Sequence, residues 1–167
     1  MHKLMAFLFL FSTCSDSTQE QEEMLLGEID LSDLHEAPYA RWFANENEPY
    51  TLKDKKVEEL EALLSGVSIK LFMGTWCADS QREVPRFHQI MEATDYPVES
   101  IELVALDREK TAPTTPERDF DILRVPTFIF YRDGQELGRI VEYPIQSLED
   151  DMVRILSGEP YEHAYHN

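Results

Sequence analysis

One cysteine in the middle of the chain is set up for thiol chemistry. In "MGTWCADSQREVP", Met73 to Pro85, Trp76 precedes Cys77 and helix-compatible residues follow it. A second cysteine three positions on would complete a C-x-x-C pair, but Ser80 stands there. The thiolate is the reactive form, and a free cysteine ionises near ~8.5. If Cys77 opens a helix, the unpaired backbone N–H groups and the helix dipole favour its anion. The Ser80 hydroxyl is expected to point at the sulfur and donate a hydrogen bond to it. Asp79 leaves three readings open. Its charge opposes a second anion nearby, its carboxyl carries a proton to a leaving thiol, or it simply improves the helix start.

Ser80 limits what Cys77 can do. A lone thiolate can open a disulfide and hold one half of it, but an outside thiol must then release it. That suits isomerisation, removal of a mixed disulfide or holding of a client, and suits bulk disulfide reduction poorly. The alternative is a binding or scaffold module in which Cys77 does not turn over.

Other candidates carry less chemistry. The formal charge of −18, from 33 acidic and 15 basic residues, excludes phosphate-backbone binding, which needs clustered Lys and Arg. His88 reads as a surface or satisfied histidine, and Arg124 as a solvated arginine that could alternatively assist an acidic client or a thiolate. His163 and His166 have i, i+3 spacing, but in "YEHAYHN" they read as chance histidines of a tail, so no metal is assigned. No Gly-rich phosphate loop or Ser-His-Asp constellation is present, and no cofactor is called for.

The elements around Cys77 must position it. "LSDLHEAPYARWFANENEPY" predicts a short helix from about Leu34 to Asn45. Val57, Leu60, Leu63 and Leu64 recur at helical spacing, with Gly66 as a stop. "VSIKLFMG" (Val67–Gly74) reads as a buried strand leading into Cys77. Val84, Phe87, Ile90 and Met91 continue at helical spacing after it, with Pro85 inside that helix. "SIELVALD" (Ser100–Asp107) predicts a second buried strand. A Thr- and Pro-rich loop over Lys110–Pro116 borders the site, with a short helix near Pro116–Leu123. "TFIFYRDGQELGRIV" is two strands around Asp133-Gly134, a hairpin signal. Ser147, with Asp150 three residues on, starts a last helix through Leu156. This order implies an α/β sheet covered on both faces.

"WCADS" after a buried strand, Pro85 eight residues after Cys77, and "RVPTFIFYRDGQELGR" together resemble the thioredoxin superfamily, over about Lys53 to Leu156. The nearest likeness is to bacterial thioredoxin-like proteins with a W-C-x-D-S site. The resemblance implies a central mixed sheet with helices on both faces and a C-terminal hairpin plus helix. It implies that Pro126 is cis and brings the Val125 backbone to Cys77, where an extended client can pair as an added strand. Trp76 then covers the site and offers clients an apolar platform. Two departures stand out: Ser80 replaces the resolving cysteine, and Leu71 stands where the family carries a buried acid six positions before the nucleophile.

The N-terminus reads as a targeting segment. His2 and Lys3 precede the apolar "LMAFLFLF", which is too short to span a bilayer. Closed by Cys14, it resembles a bacterial lipoprotein signal, with Cys14 as the lipidated residue; ordinary cleavage or an uncleaved anchor are the alternatives. All three place the domain outside the cytoplasm, with the membrane touched only through this anchor. The expected organisation is a signal segment over 1–14, an acidic linker over 15–33, a thioredoxin-like domain over 34–158 and a tail over 159–167. Expected partners are client proteins or small molecules with thiols or disulfides, and an external resolving thiol.

Overall fold

In the structure, a computed structural model, residues 24–44, 50–113 and 117–166 are described. The expected signal segment with Cys14, Asn45 and Thr114–Pro116 lie outside them. Alternating apolar residues build the centre. In β2 (Val67–Met73), Ile69, Leu71 and Met73 face one core cluster and Phe72 the other, as the two-residue period of a strand requires. β2 pairs in parallel with β3 (Glu102–Ala105) and antiparallel with β4 (Thr127–Arg132), which pairs with β5 (Gln135–Val141). Asp133 and Gly134 join β4 to β5 with φ of 52° and 77°. Two positive φ values give the turn whose twist matches a hairpin, so the Asp-Gly signal is met.

The sheet has a fifth strand that composition hides. Gly27–Ile29 (β1) pairs antiparallel with β3, giving the order β1-β3-β2-β4-β5. The expected linker over 15–33 is therefore corrected: its last residues are a sheet edge and the start of a 3-10 turn, Leu31–His35, whose Leu31 and Leu34 are buried. The helix expected over Leu34–Asn45 is also corrected. A cis Ala37–Pro38 bond separates that turn from α1, Ala40–Phe43, because proline supplies no N–H and disfavours helical geometry just before it.

α2 (Asp54–Leu63), α3 (Ala78–Ala93) and α4 (Leu148–Ser157) supply Leu60, Phe87, Ile90, Met152 and Ile155 to the larger core cluster. Ser147 caps α4 by accepting the Asp150 N–H at 3.2 Å, which satisfies one of the helix's orphan donors. The opposite face of the sheet holds Phe72, Val104, Leu106, Val125 and Ile129. Among the described residues its helical cover is one 3-10 turn, Glu117–Phe120, whose Phe120 ring packs on Phe72 at 5.2 Å. The Phe120 carbonyl accepts from Arg139 Nη1 at 2.6 Å.

The segment after α4, expected as a free tail, packs back on the domain. Tyr161 donates to Asp151 Oδ2 at 2.9 Å, Arg154 Nη2 donates to the Pro160 carbonyl at 2.8 Å, and Tyr165 donates to Glu142. Buried Asp151 has a reason to be there: it also accepts the Ile145 N–H at 2.5 Å.

Candidate functional site

β2 ends at Met73, and four residues turn the chain into α3. Cys77 N–H donates to the Gly74 carbonyl at 2.9 Å, and the Cys77 carbonyl accepts the Gln81 N–H at 2.9 Å. Cys77 is thus the N-cap of α3, with extended backbone (φ −91°, ψ 123°) and the unpaired N–H groups of the first turn ahead of it. Gln81 adds a brace, its Nε2 donating to the Thr75 carbonyl at 2.7 Å. Gln81 is four residues from Cys77, so helical spacing alone would have put it at the loop.

Cys77 is free and half-buried. Its Sγ donates to the Val125 carbonyl at 3.2 Å, and the Val125–Pro126 bond is cis. The structure therefore brings Cys77, Val125 and Pro126 together, as expected. Val125 and Pro126 are both buried, and Thr127 Oγ1 pins this corner by donating to the Arg124 carbonyl at 2.7 Å.

Trp76 is also at the site, but its indole is turned inward. Nε1 donates to the Leu106 carbonyl at 2.9 Å, the ring packs on the Phe72 cluster, and the Arg108 guanidinium lies over it at 5.0 Å. Gly74 makes room: a Cβ there would stand 2.6 Å from Trp76 Cε2. Sequence reasoning missed the Leu106 carbonyl and Arg108, because nothing local marks a loop after β3 as a partner for Trp76.

Ser80 and Asp79 each have a partner beside the thiol loop. Ser80 is fully buried and its Oγ accepts the Gly74 N–H at 3.2 Å, a bond that fastens the loop to α3. Asp79 accepts from Arg82 Nη2 at 2.7 Å on the helix surface. Of its three readings, this geometry fits the helix-start role. The buried carboxylate of α3 is Glu83, met by Arg82 at 2.6 Å and Arg86 at 3.2 Å. Leu71 is fully buried in apolar surroundings, so the acid-free position of the sequence is acid-free in the fold.

The remaining candidates separate from the thiol. His88 lies on α3 against Phe43 and His35, at ring distances of 5.2 and 5.8 Å. Burial holds it below the ordinary imidazole value, His35 adds to that, and Glu92 opposes it. His163 and His166 stack edge-on at 5.9 Å, with burial foremost pushing His163 down. Among the described residues no group of three His, Cys, Asp or Glu could hold a metal ion. Arg124 is exposed, with its guanidinium 5.3 Å over the Tyr165 ring.

These features meet known proteins in one place. A family model described as thioredoxin matches residues 34–155. The chain is 26% identical to a thioredoxin of Staphylococcus haemolyticus over 83 residues, half of this chain and 75% of that one. It is 28% identical over 94 residues to thioredoxin Asp f 28 of Aspergillus fumigatus, covering 56% and 81%. Among solved structures, a Pseudomonas aeruginosa protein of unknown function superposes with a TM-score of 0.51 at 18% identity, over 78% of this chain and 88% of that one, a likeness of fold. With a thiol at the start of α3, a cis-proline beside it and a family match over most of its length, the chain belongs to the thioredoxin family.

Proposed function

We propose that this protein carries out single-thiol disulfide exchange through Cys77. The observation that carries the reading is the Cys77 sulfur at the N-cap of α3, half-buried and 3.2 Å from the Val125 carbonyl beside cis Pro126. The Cys77 thiolate attacks one sulfur of a client disulfide. An S–S bond forms to Cys77, the client's S–S bond breaks, and the other client sulfur leaves as a thiolate. Ser80 has no second thiol to offer, so the mixed disulfide persists until an external thiol attacks it and frees Cys77. Isomerisation, with the client's own thiol as that attacker, needs no net electron source.

The N-terminal segment supports an exported protein tethered through lipid on Cys14. Mass spectrometry of the mature form is then expected to show loss of Met1–Thr13 and a lipid-modified Cys14; an intact Met1 on cytoplasmic protein contradicts this part of the reading.

The second reading, a thioredoxin-fold binding module without turnover, is favoured by Leu71, a buried apolar side chain. One experiment separates the two. A protein disulfide is offered with a thioredoxin-reductase system as electron source, with and without a small thiol. Exchange chemistry gives poor reduction without the small thiol and a clear gain with it that Cys77→Ser abolishes. No Cys77-dependent gain supports the binding module.

A further inference from the structure

The segment after α4 reaches the thiol through a chain of bonds. Tyr165 donates to the Glu142 carboxylate. The Glu142 N–H donates to the Pro126 carbonyl at 2.7 Å. Pro126 follows Val125, whose carbonyl accepts from Cys77 Sγ at 3.2 Å. A second contact runs beside the first: the guanidinium of Arg124, one residue before Val125, lies 5.3 Å over the Tyr165 ring. Tyr165 therefore grips the corner that faces the sulfur from two sides, just before β4 through Arg124 and just after β5 through Glu142. It lies outside the stretch that matches the family model, 34–155, so the family likeness gives it no role.

Both ends of the link are held. Glu142 has φ 66°, a left-handed backbone that a residue other than glycine adopts only where its surroundings keep it there. Its N–H is fixed on Pro126 and its carboxylate on Tyr165. Tyr165 is fixed in turn by its own segment. Its N–H donates to His163 Nδ1 at 3.1 Å, and the His166 N–H closes the same turn on the His163 carbonyl at 3.0 Å. Further back, Tyr161 ties the segment to Asp151 at 2.9 Å. "YEHAYHN", which reads locally as a tail with chance histidines, thus orients one tyrosine hydroxyl.

A hydrogen bond from S–H to a carbonyl favours the protonated sulfur, and a carbonyl oxygen that close disfavours the thiolate. How firmly Val125 is held therefore bears on how readily Cys77 gives up its proton. Resting on the exchange reading of Cys77, we propose that Tyr165 is a positioning residue for the thiol. Through Glu142 and Arg124 it holds the Val125 carbonyl against the sulfur and restrains ionisation of the resting protein. The charged groups around the site are Asp79 and Arg82 on α3, Arg108 over Trp76, and Arg124 and Glu142 at the corner. Tyr165→Phe leaves every one of these charges, and the ring under Arg124, in place; it removes the hydroxyl alone.

The test follows alkylation of Cys77 by iodoacetamide against pH in the full chain, read by mass spectrometry on the Cys77 peptide. Wild type is compared with Tyr165→Phe, Glu142→Ala and Glu142→Gln. Weakening of one hydrogen bond to the thiol predicts a lower midpoint in Tyr165→Phe, with alkylation about two- to threefold faster on the acid side of the profile. Glu142→Ala shifts the same way, and Tyr165→Phe/Glu142→Ala shifts no further than the larger single change, since both cut one link. Glu142→Gln keeps the wild-type profile, because its amide oxygen still accepts from Tyr165. Urea unfolding of the same proteins separates positioning from stability: a merely structural hydroxyl lowers stability and leaves the profile where it was. An unchanged profile in Tyr165→Phe, or a Glu142→Gln profile that moves as far as that of Glu142→Ala, overturns the positioning role. Exchange with bis(2-hydroxyethyl) disulfide, measured in parallel on the wild type, keeps the two readings apart. Exchange with coincident profiles leaves the exchange reading standing and the positioning role refuted, whereas no exchange at Cys77 takes down both.

Discussion

Replacing Gly74 with alanine tests how the loop before the thiol is held. Gly74 has no positive φ, so its backbone does not demand glycine; its neighbour does. An added Cβ would meet Trp76 Cε2 at 2.6 Å and Nε1 at 2.7 Å. The indole cannot simply lean away, because its N–H is bonded to Leu106 and Arg108 lies over the ring. Overpacking at such a site costs about 1–3 kcal/mol, and loss of the indole hydrogen bond about 0.5–1.5 kcal/mol. Stiffening of the unfolded chain returns about 0.4–1 kcal/mol. The net expectation is destabilisation by about 0.5–4 kcal/mol. Urea unfolding followed by circular dichroism is run on wild type, Gly74→Ala, Trp76→Ala and the double variant. If the indole is the obstacle, Gly74→Ala no longer destabilises once Trp76 is gone, and the coupling is about 1.5–4.5 kcal/mol. An equal cost in both backgrounds, or a Gly74→Ala protein as stable as wild type, excludes the indole as the obstacle.

Two further outcomes follow from the packing. Ser147→Ala removes the acceptor for the Asp150 N–H and should cost about 1 kcal/mol in urea unfolding; no measurable loss would mean that α4 does not depend on its cap. His88 is held below the ordinary imidazole value by burial, then by His35 against the pull of Glu92. The unfolded chain therefore takes up the His88 proton first. Stability is full above about pH 6.5 and falls as pH drops from there towards the lower folded value. His88→Gln should flatten that part of the stability–pH curve, and an unchanged slope would exclude His88 as its source.

Local pattern was enough wherever an element is long and its neighbours in sequence decide it. β2, the hairpin, α3 and the capped α4 were all readable, because apolar period, Asp-Gly and Ser147 act over a few residues. Elements set by distant partners were not. β1 is three residues in an acidic stretch, and only its register with β3 makes it a strand. The segment after α4 is ordered by Tyr161 on Asp151 and Tyr165 on Glu142, contacts that no local spacing encodes. At the site, Cys77, Val125 and Pro126 were legible as a set, since their types and order carry the family likeness. The Gly74 N–H on Ser80 and the Arg82 guanidinium on Asp79 were not, because no motif marks them as partners.

We propose that Cys77 is a working thiol without an internal resolver. Its most direct measurement is the mass of the protein after brief exposure to bis(2-hydroxyethyl) disulfide, then after addition of excess 2-mercaptoethanol. One mercaptoethanol adduct is expected on Cys77, stable alone, returned to free thiol when 2-mercaptoethanol is added, and absent in Cys77→Ser. No adduct on Cys77, or an adduct that is released without any added thiol, would contradict it.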